Sequence, residues 1–117
     1  MEKEFIIEFL PYELALKMKQ LGFNEPGIAS RDMGKGQGLI QIPLYQQAFR
    51  WFREKYDKYG VVNIDLSNNL KDKIFVYMVE DKLGYIIDRS EEHNTYEEAE
   101  LACLEKLIEI VESKTEK

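Results

Sequence analysis

The sequence predicts an α+β fold: one domain over residues 1–117, a largely antiparallel sheet packed by three amphipathic helices. Three observations predict it. Three segments place apolar residues at steps of three and four, the period of a helix with one buried face. Between them, short runs alternate apolar and polar residues and end at turn residues, the period of a strand. Apolar residues make up 44% of the 117, including seven Tyr, six Phe and one Trp. That suffices for a core in a chain of one-domain size.

The expected order is β-α-β-β-α-β-β-β-α. Phe5, Ile7 and Phe9 alternate with Glu4, Ile6 and Glu8 and predict a first strand. In "LPYELALKMKQLGF", Pro11 suits a first helical turn, where its missing N–H is not needed. Leu14, Met18 and Leu21 follow on one face. Gly22 fits the left-handed residue after a helix, and Phe23 closes an apolar contact behind it. "NEPG" turns the chain. "GIASRDMGKGQGLIQI" reads as a hairpin with its tip at Gly34–Gly38 and with Ile40 and Ile42 on one face.

Pro43 opens a second helix, and Gly60 is its expected stop. Tyr45, Phe49, Phe52, Tyr56 and Tyr59 form one aromatic stripe with Ala48 beside them. In "VVNIDL", Val62, Ile64 and Leu66 are expected inward, Asn63 and Asp65 outward. "SNNLKD" is a turn. "KIFVYMVE" is apolar on both faces and predicts a central strand. "DKLG" turns into the strand "YIID". In the third helix, Thr95 and Glu98 have capping-box spacing. Leu101, Leu104, Ile108 and Val111 form its stripe, widened by Cys103 and Leu107. The polar tail 113–117 is expected to fray.

Charge and composition exclude several classes of function. Residues 1–60 hold nine Lys/Arg and eight Asp/Glu; residues 61–117 hold seven and fourteen, a net −7. An acidic half repels phosphate backbones and anionic lipid heads; it suits solubility or a basic protein partner. The first reading of such a charge balance is a solvated acidic surface with no special role. No run approaches the ~20 apolar residues of a membrane span, so no membrane partner is expected. The first residues lack the basic start and cleavage site of a secretory signal, so the expected location is the cytoplasm. One Cys and one His leave no zinc cluster, and no metal or other cofactor is expected.

The aromatic-basic segment "PLYQQAFRWFREKYDKYG" raises the sharpest question. Arg50, Arg53, Lys55 and Lys58 alternate with Trp51, Phe52, Tyr56 and Tyr59, a mixture that single-stranded nucleic-acid binders use. Most rings share one helical face and most charges lie off it, as an amphipathic core helix requires anyway. The rings are therefore expected in the core. Trp51 lies about 100° from Phe52, at the edge of the stripe, where it caps the core or anchors a partner. The candidate partner-contacting residues are Trp51, Arg50 and Arg53, with Lys35 at the glycine-rich tip.

The remaining chemistry is sparse. "GKGQG" matches neither phosphate-binding glycine motif. His93, in "RSEEHN", has no nucleophile implied nearby, and Cys103 falls on the apolar side of its helix. Asp65, Asp72, Asp81, Asp88, Glu91 and Glu92 lack calcium-loop spacing. No catalytic residue is assigned, and the chain is read as a non-enzyme. The final βββα order resembles that of double-stranded RNA-binding domains. Glu97, Glu98 and Glu100 stand where such domains grip phosphate with Lys, so that mode is rejected.

Four pieces, "LPYELALKMKQLGFNEP", "PLYQQAFRWFREKY", "YIID" and "TYEEAELACLEKLIEIV", resemble a family of small uncharacterised proteins of tailed phages and prophages of Bacteroidetes-type bacteria. The match covers Leu10–Pro26, Pro43–Tyr56 and Thr95–Val111, about two-fifths of the chain. The chain departs from the family pattern after "NEP", where a Cys and an aromatic-rich strand give way to Gly27, Ile28 and Ala29. The resemblance implies a phage or prophage product acting inside a bacterium, and no activity. The resulting expectation is a non-catalytic accessory protein that binds another protein through its acidic surface. Single-stranded nucleic-acid binding through helix 43–59 is the alternative, and a homodimer through a sheet edge is compatible with both.

Overall fold

The computed structural model describes residues 9–26, 29–65 and 74–115. Among these, three helices and five strands follow the order α1 (Tyr12–Gln20), β1 (Ala29–Asp32), β2 (Leu39–Ile42), α2 (Tyr45–Tyr56), β3 (Tyr59–Asp65), β4 (Ile74–Glu80), β5 (Ile86–Arg89) and α3 (Tyr96–Thr115). The fold class is α+β, with two antiparallel sheets, β1-β2 and β3-β4-β5. The chain divides into two compact units, Met1–Ala48 and Phe49–Lys117, the division falling inside α2. The expected first strand and the "SNNLKD" turn lie outside the described residues, except that Phe9 forms an isolated antiparallel bridge with Leu44.

In the first unit, α1 begins at Tyr12, with Pro11 just before it at φ −59° and ψ 149°. Leu14 and Ala15 both donate to the Pro11 carbonyl at 3.0 Å. The helix closes as its sequence demands. Gly22 takes φ +110°, which a side chain would oppose. Its N–H donates to Lys19 O (3.0 Å) and that of Phe23 to Met18 O (2.9 Å), the paired bonds of a Schellman motif. Met18 and Phe23 are both buried. β1 pairs with β2 in the register Ala29↔Ile42 to Asp32↔Leu39, and Ile40 and Ile42 are buried as their shared face requires. The Asp32 carboxylate accepts the Gly34 N–H at 2.8 Å and holds the tip.

In the second unit, α2 ends earlier than the glycine suggests. Asp57, not Gly60, takes the left-handed conformation at φ 56°. The Asp57 N–H donates to Arg53 O and the Lys58 N–H to Phe52 O, both at 3.2 Å. Tyr59 therefore leaves the aromatic stripe and starts β3. Gly60 serves close packing instead. A Cβ there would lie 2.8 Å from Cys103 Sγ and 2.9 Å from a Phe49 ring carbon. β4 is the central strand, as its two apolar faces predict. The register Gly60↔Val79, Val62↔Tyr77 and Ile64↔Phe75 puts these six residues on the face that receives Phe49 and α3.

Val62 is half-buried, but Ile64 is 47% exposed, against expectation. It pairs with Phe75, whose ring meets Tyr96, the first residue of α3, so the helical cover thins there. Leu66 lies outside the described residues. α3 starts on its capping box: Glu98 N–H donates to Thr95 Oγ1 (3.1 Å) and Asn94 N–H to Glu98 Oε1 (3.3 Å). Cys103, Leu104, Leu107, Ile108 and Val111 are buried along its stripe, and Leu101 is half-buried. Each large aliphatic member contributes about 1.5–3 kcal/mol by leaving water. The helix is described to Thr115.

Candidate functional site

The rings of α2 are interior groups. Phe49, Trp51 and Phe52 are all buried, and Tyr45 and Tyr56 half-buried. The Trp51 ring meets Phe52 at 5.1 Å and Tyr56 at 5.4 Å, both edge to face, a favourable aromatic geometry. Trp51 is only 5% exposed, so it is no surface anchor for a partner; it seals the edge of the stripe. Arg50 and Arg53 are exposed on α2. Lys35 is exposed at the β1–β2 tip, in the first unit, at φ 54°. The rings that would stack bases are thus separated from the exposed cations beside them in sequence.

One open cleft of about 380 Å³ lies between β5 and α3, lined by Tyr77, Asp88, Arg89, Ser90, Glu91, His93, Ala102 and Lys106. The backbone positions its polar groups. His93 and Phe75 exchange N–H···O bonds of 2.8 Å across an isolated bridge, which brings His93 beside the sheet. Its ring stacks on that of Tyr77 with centroids 6.4 Å apart. The Tyr77 hydroxyl donates to Asp88 Oδ2 at 3.2 Å. Burial, reinforced by the neighbouring Asp88 carboxylate, pushes the Tyr77 phenol well above its usual range.

This cleft has hydrogen-bonding groups without an activated nucleophile. Ser90 Oγ accepts the Tyr77 N–H at 2.8 Å and donates to Glu91 O at 2.6 Å, so its hydroxyl holds the backbone. Lys106 is bonded to the Glu109 carboxylate, which raises its pKa. Cys103 is buried, outside the lining residues, and burial followed by the Glu100 charge pushes its thiol up to about 12. A neutral, enclosed thiol is a poor nucleophile. Among the described residues, no group of three or more His, Cys, Asp or Glu could hold a metal ion. Nor is any described helix long and apolar enough to cross a membrane.

The surface feature that sequence reasoning missed is the β4–β5 hairpin. Leu83 (74% exposed), Tyr85 (69%), Ile86 (55%) and Ile87 (45%) are large apolar residues left in water within five positions. The turn is rigidly built. Asp81 Oδ1 accepts the N–H groups of Leu83 (2.9 Å) and Tyr85 (3.0 Å), and Gly84 N–H donates to Asp81 O (3.0 Å). β5 is an edge strand, and a register shift at Val79/Glu80 gives it a bulge where Ile86 faces Glu80. "YIID" is legible as a strand. Its place at the edge, which leaves it uncovered, is not.

Fold and surface together define an α+β protein whose most developed exposed feature is an apolar hairpin on the margin of its larger sheet. Comparison of the chain with protein-family models, with characterised proteins and with solved structures finds no match.

Proposed function

We propose that this chain is a non-catalytic accessory protein that acts by binding another protein, with the β4–β5 hairpin as its contact. One observation carries the reading: Leu83, Tyr85, Ile86 and Ile87 stand exposed together on a turn held by two N–H bonds to the Asp81 carboxylate and two backbone–backbone bonds, Asp81 with Gly84 and Asp81 with Tyr85. Clustered apolar exposure of this kind marks interaction surfaces, and a rigid turn lowers the entropic cost of using one. The acidic half of the chain complements a basic rim on the partner and adds on-rate. The phage or prophage context and the bacterial cytoplasm belong to the same proposal and rest on the sequence motifs.

Replacing Tyr85 by a photoreactive aromatic residue and irradiating cells that express the full chain tests the reading. The expected result is a discrete protein adduct that disappears when Leu83→Ser and Ile87→Ser are added. Irradiation that yields only unlinked chain would sink it.

A further inference from the structure

We draw no further inference here: the strongest candidate, the apolar patch of Leu83, Tyr85, Ile86 and Ile87 on the β4–β5 hairpin, is already the proposed contact, and nothing in the structure shows what covers it.

Discussion

Gly60→Ala tests the packing of the second unit most directly. Gly60 sits in β3 and has no left-handed φ, so alanine meets no backbone strain there. Its Cβ would lie 2.8 Å from Cys103 Sγ, 2.9 Å from Phe49 Cε1 and 3.1 Å from Leu107 Cδ1. The first two are below any real carbon contact, and all three residues are buried with little room to retreat. Overpacking of this kind costs about 1–3 kcal/mol. Losing glycine from a strand returns about 0.5–1 kcal/mol. The net expectation is destabilisation by about 1 kcal/mol, or about 4 °C in Tm for a chain of this size. Trp51 is the only tryptophan and belongs to this unit, so its fluorescence in a urea titration reports the right transition. Cys103→Ala deletes the nearest clashing atom and by itself costs about 1 kcal/mol. The double variant should be more stable than the sum of the two, with a coupling of about 1 kcal/mol. A neutral or stabilising Gly60→Ala, or strict additivity, would refute the close approach of β3 to α3.

Three further outcomes follow from other groups. The Cys103 thiol, raised to about 12, keeps its proton when the unfolded thiol has lost its own. Its contribution is full below about pH 9 and declines as pH rises towards 12, by at most about 1.4 kcal/mol per pH unit. Urea midpoints of Cys103→Ala should fall less steeply over that window, and an identical slope would contradict the buried thiol. Thr95→Ala removes the bond to Glu98 N–H at the start of α3 and should cost about 1 kcal/mol by chemical denaturation. No loss would mean the cap is idle in solution. Asp57→Gly relieves a left-handed non-glycine residue at φ 56° and should stabilise by about 1 kcal/mol in the same assay; destabilisation would show that α2 closes differently.

The sequence by itself determined the local elements. Gly22 and Phe23 announce the end of α1, since only glycine tolerates φ +110° at low cost and the apolar residue behind it must find Met18. The unbroken apolar run of "IFVYMV" announces a central strand, since both its faces must be covered. The period of Tyr45, Phe49, Phe52 and Tyr56 announces the buried side of α2. These are properties of neighbours in the chain, fixed by backbone sterics and by the shape of one helix or strand.

Tertiary structure decided what depends on distant residues. Gly60 reads in sequence as a helix stop, and only the approach of Cys103 and Phe49 reveals it as a packing site. Trp51 lies at the edge of its stripe in sequence, where it caps the core or anchors a partner, and its burial follows from what the fold sets around it. Ile64 and Ile86 are apolar residues of expected strands as Val79 is, yet Val79 is buried and they are exposed. Alternation states which face a side chain takes. Whether that face is covered depends on strand order and on where a helix begins, and neither is written in the period of any one segment.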